Sequence, residues 1–390
     1  MRALIVGGGT GGTLTANLLG KLFSKHRIDG EVMLLSQADT HVFQPANLDI
    51  AFKGSSPSKY VRRESSLLNR NVKFIPKGVQ RIEIENRQVI TTSGKRFPYD
   101  YLVIATGAEV APHLIDGLQE FSYNFHRSQD DAAKLWEALK SFSGGKVVLL
   151  IAGVPHKCPP SPTEAMFLMD DFFRKRGIRE RVELTLLTPY PRAYPAATIA
   201  EVVEPLFQER NINMIPYFNV DHVEKKYVHS MEGDKVVYDI LISIPPHIGS
   251  PTVRDSAFTD DEGWVKADRH TMKVDGYDDV YALGDCTNIP ISKSGVVAHL
   301  QAGVVAENIC SDLIGSGTVS RFSGRINCPL EVGGGRAIFV SATYARQPRK
   351  MQPSRIRYLM KRGFSRMYWT MLSGFWEPFF NIYFRDSKVA

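Results

Sequence analysis

Two cysteines carry the strongest chemical signal in this chain: Cys158 within HKCPPSPTEAM and Cys328 within GRINCPLEVGGG. Each is followed by proline, and a thiolate in such a loop can attack a disulfide, hold soft sulfur and release electrons. The first dozen residues read MRALIVGGGTGG, so Gly7, Gly9 and Gly12 form G-x-G-x-x-G between an apolar strand and a helix. The first glycine allows a tight turn, the second lets backbone approach a pyrophosphate, and the third lets helix pack on strand. A bound dinucleotide and two distant cysteines are the minimum equipment for moving an electron pair from a sulfur compound to a carrier. The bland alternatives are two buried thiols and an ordinary α/β turn.

Positioning such groups takes a parallel α/β frame. A strand, turn and helix over residues 2 to about 24 lead to a strand at 31–36, and YDYLVIATG closes the first cycle at 99–107. A second cycle starts with GGKVVLLIAG at 144–153, continues through a helix at 163–176 and VELTLLT at 182–188, then a helix at 198–210 and VVYDILISIPP. Strands alternating with helices predict two Rossmann-like domains, here related as a degenerate duplication. The expected division is 1–112 and 256–318 for one dinucleotide-binding domain, 113–255 for the second, and 319–390 for a C-terminal region.

Two further segments point to FAD. YDYLVIATGA ends in Thr106-Gly107, a small turn that passes close to a dinucleotide. DDVYALGDCTNIP ends a strand in Gly284-Asp285, whose carboxylate suits a ribityl chain, and the helix that follows aims its positive end at a flavin. At the end of the second strand the usual acidic residue is replaced by Ser36, with Asp39 three residues on. In the second cycle the glycine motif is missing. Prolines 155, 159, 160 and 162 stiffen that loop and remove backbone donors, which disfavours NADH.

The formal charge of +7 and pI near 9.1 suit an anionic partner, with plain solubility as the alternative, while the absence of basic runs interleaved with aromatics before the last 40 residues argues against nucleic acid. No C-x-x-C, Cys/His cluster or H-E-x-x-H motif supports a metal site. No leader precedes the first strand in this sequence, so folding in the cytoplasm is the expectation, with loss of a leader as the alternative. The tail IRYLMKRGFSRMYWTMLSGFWEPFFNIYF mixes aromatic clusters with Lys361, Arg362, Arg366 and Glu377. Its longest uncharged run, Met367 to Trp376, would reach only about 15 Å as helix against a core of about 30 Å. It suits a segment lying in the membrane interface, with a protein contact as the alternative.

Taken together, KCPPSPTE (157–164), GDCTNIPISKSG (284–295), NCPLEVGGG (327–335) and MYWTMLSGFW (367–376) resemble the sulfide:quinone oxidoreductases, with the flavoprotein of flavocytochrome c sulfide dehydrogenase as a cousin. The likeness runs essentially the whole chain. It implies a glutathione-reductase-type fold, a Cys158–Cys328 redox disulfide, Glu164 as acid/base, and a monotopic membrane protein on the cytoplasmic face. It implies FAD contacts from Gly7, Gly9, Gly12, Ser36, Gln44, Thr106, Gly107, Gly284, Asp285 and Lys293. For Lys293 the default is an exposed loop lysine, and for Glu164 a capping carboxylate. Many relatives carry a third cysteine near residue 127; FHRSQDD stands here, implying non-covalent FAD. Sulfide and quinone are the implied substrates, and a homo-oligomer stays open. Rival expectations are a type II NADH:quinone oxidoreductase, a cytochrome-c-linked sulfide dehydrogenase, and a non-catalytic FAD-bearing interaction protein.

Overall fold

The structure, a computed structural model, describes residues 1–376. The tail expectation beyond Trp376, including Glu377, lies outside the described residues.

The chain begins with β1 (Arg2–Val6), α1 (Thr10–His26) and β2 (Glu31–Ser36). A short helix, α2 (Asn47–Lys53), precedes β3 (Val72–Pro76) and β4 (Tyr101–Ile104). β1 pairs in parallel with β2 on one side and β4 on the other, and β3 extends the sheet beyond β2. These strands read as short apolar runs because both faces are covered. An antiparallel meander (Val79–Glu83, Gln88–Thr91, Arg96–Pro98) fills the β3–β4 crossover.

The second sheet has order β7-β6-β5-β8 and is parallel throughout: β5 (Gly145–Ile151), β6 (Val182–Leu187), β7 (Ile212–Ile215) and β8 (Ile240–Ile244). α3 (Ser161–Lys175) follows β5, and α4 (Ala197–Glu209) follows β6. α3 starts two residues before the expected 163. Pro162 is compatible with the first turn, where a missing N–H goes unused.

The chain then returns to the first sheet. β9 (Val280–Ala282) pairs beside β4, and α5 (Gly295–Ile314) packs against α1. An antiparallel hairpin, β10 (Ile326–Glu331) and β11 (Ala337–Ala342), carries Cys328 opposite Val340. α6 (Arg355–Met371) lies over that hairpin. The fold is thus the expected α/β arrangement of two dinucleotide-binding sheets. Among the described residues no helix is long and apolar enough to cross a membrane.

Candidate functional site

The first cofactor element is the turn between β1 and α1. Gly7 has φ +110°, and a Cβ there would stand 2.3 Å from the carbonyl oxygen of Ala105. A Cβ on Gly12 would stand 1.9 Å from the oxygen of Gly7, so only glycine lets α1 close on β1. Gly9 differs: a Cβ there meets nothing within 4 Å. The second glycine is therefore demanded by no protein contact and borders open space, as backbone meant to face a pyrophosphate must. Gly107 is equally open, and Gly295, the first residue of α5, faces Thr10 across the gap.

Asp285 supplies the second part of the fit. Its Oδ1 is buried without a hydrogen-bond partner, and burial raises its carboxyl above the usual range, with Lys293 and Lys157 opposing. A buried acceptor left open beside a glycine-lined groove is what a ribityl hydroxyl would satisfy. Lys293 is not the exposed lysine that a loop position suggests. It is buried, donates to the backbone oxygens of Asp285 (3.0 Å) and Thr287 (2.8 Å), and its Nζ stands 3.7 Å from the Trp264 ring centroid. Ser36 is half-buried with its hydroxyl beside Gly8. Gln44 is exposed and accepts a 2.9 Å hydrogen bond from Lys157 Nζ, tying it to the cysteine loop.

The two cysteine segments meet at the same end of α5. The N–H of Cys158 donates to Lys293 O (2.7 Å), which docks the proline-rich loop on the 284–295 loop. Cys328 Sγ lies 3.9 Å from Ser294 Oγ, the N-cap of α5. Cys158 has φ +54°, so the loop turns sharply at the sulfur. Both are free thiols in this structure. Burial pushes the Cys158 thiol up to about 12, with Cys328 and Glu164 adding to the shift, and burial also raises Cys328. Cys328 opens onto a cleft of about 780 Å³ whose walls include Tyr190, Tyr194, Trp264 and Lys293. Cys286 and Cys310 are apart from this chemistry: Cys286 Sγ donates to Leu283 O (3.2 Å), and Cys310 is buried on α5.

Glu164 stands in the first turn of α3 but is no solvated cap. It is buried, pairs with Lys361 of α6, and accepts from the N–H of Glu331 (3.3 Å). Burial raises its carboxyl, and Lys361 works against the rise. Lys361 also pairs with Glu331 at 3.1 Å, and Arg362 with Asp49 at 3.1 Å. Lys361 is therefore turned into the protein, whereas Arg362 keeps 39% of its side chain exposed while pairing with Asp49.

Beside the cysteine loop lies a group that sequence reasoning missed. His126, His156 and His247 are all buried, with ring centroids 5.5 Å (126–247) and 6.1 Å (126–156) apart. Burial lowers all three, His156 to about 4 and His247 to about 3, so they are neutral at physiological pH. His126 bonds Ser161 Oγ at 2.7 Å through Nε2. A second missed network links the first glycine loop to α6: Tyr368 Oη lies 2.7 Å from both Thr10 Oγ1 and His41 Nε2, and His41 Nδ1 lies 3.0 Å from Glu64.

Fold and groove together define a flavoprotein with two dinucleotide-type domains. Residues 1–304 match the family described as pyridine nucleotide-disulphide oxidoreductase, and the chain belongs to that family; its cofactor is FAD. The mitochondrial sulfide:quinone oxidoreductase of Mus musculus is 28% identical, over 96% of this chain and 86% of that protein. A sulfide-quinone reductase of Aquifex aeolicus is 28% identical, over 80% of this chain and 76% of that protein. The solved sulfide:quinone oxidoreductase of Aquifex aeolicus superposes with a TM-score of 0.87 at 24% identity, covering 99% of this chain and 96% of that one. NDH2 from Plasmodium falciparum, solved with NADH, shares the fold with a TM-score of 0.71 at 14% identity, covering 100% of this chain and 99% of that one.

Proposed function

We propose that this chain oxidises sulfide to zero-valent sulfur or polysulfide and reduces quinone. The observation that carries the proposal is the convergence of Cys158 and Cys328 at the N-terminus of α5, beside the cofactor groove. The named activities of the mouse and Aquifex relatives support it. In this assignment 1–112 and 256–318 bind FAD, 113–255 presents Cys158, and 319–390 presents Cys328 and meets quinone and lipid.

The cycle starts from a Cys158–Cys328 disulfide, which would re-form at the end of each turnover, once a second hydrosulfide has carried off the persulfide's outer sulfur, by loss of two electrons from the two thiols to the flavin as oxidant. Attack by hydrosulfide breaks that bond, makes a persulfide on one sulfur and frees the other as thiolate. FAD held in this groove would supply the two-electron acceptor chemistry that connects sulfide to quinone. Gly7, Gly9 and Gly12 seat it, with Ser36, Thr106, Gly107, Gly284 and Asp285 along the groove. Cys328 lies beside the α5 cap, Cys158 docks on the same loop, and Lys293 is a buried cation near that end. His126 stands in the FHRSQDD stretch, so FAD is held without a thioether. Glu164 takes the sulfide proton.

The same loop argues against NADH. The N–H of Cys158 is used by Lys293, those of Ser161 and Glu164 by backbone oxygens, and the prolines have none. Anaerobic stopped-flow absorbance tests both statements. Sulfide is expected to bleach the flavin within seconds and NADH to leave it oxidised. Bleaching by NADH alone, with none by sulfide, would make this an NADH dehydrogenase.

The proposed location is the cytoplasmic face of a membrane. On α6, Ile356, Leu359, Met360 and Met367 are exposed at helical spacing, and Phe375 follows. Exposed Arg355 and Arg366 flank the stripe and suit anionic headgroups.

A further inference from the structure

Lys361 is the side chain through which α6 reaches the sulfur site. Its side chain is 17% exposed and bridges Glu164 and Glu331, which are 2% and 6% exposed. Lys53 of α2 pairs with Glu331 (3.0 Å) and Asp49 (2.9 Å), and Arg362 closes the chain on Asp49. Three carboxylates thus face three cations across α2, α3, β10 and α6, so the cluster is balanced only while Lys361 is seated. Cys158 immediately precedes α3, its carbonyl accepting from Ser161 N–H (2.9 Å), Cys328 and Glu331 share β10, and Glu164 and Lys361 both act electrostatically on Cys158.

We infer that Lys361 is a positioning residue for proton transfer: its charge holds Glu164 as an ionised base beside Cys158. The inference rests on the sulfide-oxidising reading above. Without Lys361, Glu164 and Glu331 would share a desolvated space with one cation fewer. Two carboxylates so placed cannot both ionise, and one takes up a proton. A protonated Glu164 cannot accept the proton that hydrosulfide releases. Lys53 already serves Asp49 and Glu331 and is no substitute. Burial works against the Lys361 charge, yet Glu164 and Glu331 raise its affinity for the proton, so it stays cationic throughout the working range.

The test is the pH profile of sulfide-driven flavin bleaching in the FAD-loaded protein. Lys361→Met keeps the stem and removes the charge. The acid limb is expected to move up by about 1–3 pH units, the span an adjacent opposite charge commands. Lys361→Arg should restore it. Glu331→Gln, which leaves Lys361 to Glu164 alone, should move the limb down, and it decides the matter if Lys361→Met fails to fold. An unmoved limb in a folded Lys361→Met, or in Glu331→Gln, overturns the inference. No bleaching of the unaltered protein would instead sink the sulfide reading itself.

A different observation carries a second site. The hairpin Val220–Glu224 and Tyr227–Ser230 lies outside the cysteine site and pairs His222 with His229 across its strands. Their rings stack 4.3 Å apart at 8°, and Glu224, two residues beyond His222, shares that face. Ligand atoms of His222, Glu224 and His229 all lie within 4.8 Å of one another. Asp221 Oδ2 stands 2.8 Å from His222 Nδ1, the outer carboxylate that fixes a ligating imidazole with Nε2 outward. We propose that this face binds a divalent transition ion such as Zn²⁺, which imidazole and carboxylate ligands suit, with remaining positions open to water. As it stands, Glu224 Oε2 lies 3.0 Å from His229 Nε2 and 3.9 Å from Lys235 Nζ, so metal uptake would replace that histidine hydrogen bond.

Calorimetry of the tag-free, FAD-loaded protein with ZnCl₂ should show one saturable equivalent. His222→Ala and His229→Ala should each abolish it, and Asp221→Asn should weaken it by about tenfold or more. No saturable uptake, or uptake unchanged in the double histidine variant, overturns the site.

Discussion

Serine at position 328 or at position 158 is expected to abolish sulfide-driven flavin bleaching, by about 10³-fold or more, the scale on which loss of a covalent nucleophile shows. Serine keeps the size and hydrogen-bonding of cysteine, and at Cys158 it accepts the same left-handed backbone as the native side chain. It cannot form a disulfide, so hydrosulfide meets no electrophile. Both variants should keep their FAD, because neither cysteine belongs to the glycine turns that seat it. Dithionite should still reduce the flavin in both, which places the loss in the sulfur half of the reaction. Cys310→Ser, on α5, should run at the native rate. Retained sulfide oxidation in either Cys158→Ser or Cys328→Ser would mean that the pair is not the redox centre.

What the sequence made legible follows from how local each signal is. The β1–α1 turn announced itself because Gly7, Gly9 and Gly12 act within one turn of chain, and the structure gives each a separate physical reason. The helix after Cys158 was expected at 163 and begins at Ser161, a small error at a proline-rich start. The fold class came from strand–helix alternation, which each parallel strand enforces locally. Lys293 was harder: its burial depends on Trp264 and on carbonyls of its own loop, and nothing in SKSG signals either. Lys361 was out of reach. Its partner Glu164 is 197 residues away, and a lysine in an aromatic, basic tail carries the same signature whether it faces lipid or a buried acid. Glu331 follows Cys328 by three residues, yet its N–H meets a carboxylate 167 residues earlier. The FHRSQDD stretch was visible as standing where relatives carry a cysteine, but nothing in it signalled that His126 packs with His156 and His247, which join it only through tertiary packing. Charge partners across domains are set by the fold, and periodicity does not encode them.

The outer face of α6 sets the second large expectation. Ile356 is 70% exposed and Leu359 65%, next to Met360, on the side of the helix away from Glu164. Each such side chain gains about 1.5–3 kcal/mol on leaving water, so Ile356→Glu with Leu359→Glu should weaken vesicle binding by about 10² to 10⁴-fold. Added repulsion from anionic headgroups works in the same direction. Neither residue is buried, so stability should change little. The ion pair of Lys361 with Glu164 is made by the protein alone, so sulfide should bleach the flavin of this variant at the native rate. Turnover should then separate by quinone: a water-soluble short-chain quinone is reduced as before, while a long-tailed quinone in phosphatidylglycerol vesicles is reduced about 10²-fold more slowly or worse. Cosedimentation with those vesicles, followed by the two quinone assays, checks the expectation. If the double variant still sediments and still reduces the long-tailed quinone, the lipid contact lies elsewhere on the protein. Salt then distinguishes the two contributions in the native chain, because Arg355 and Arg366 are screened within about 10 Å at 0.1 M salt whereas the apolar stripe is not. Residual binding at high salt should therefore be the part that Ile356→Glu and Leu359→Glu remove.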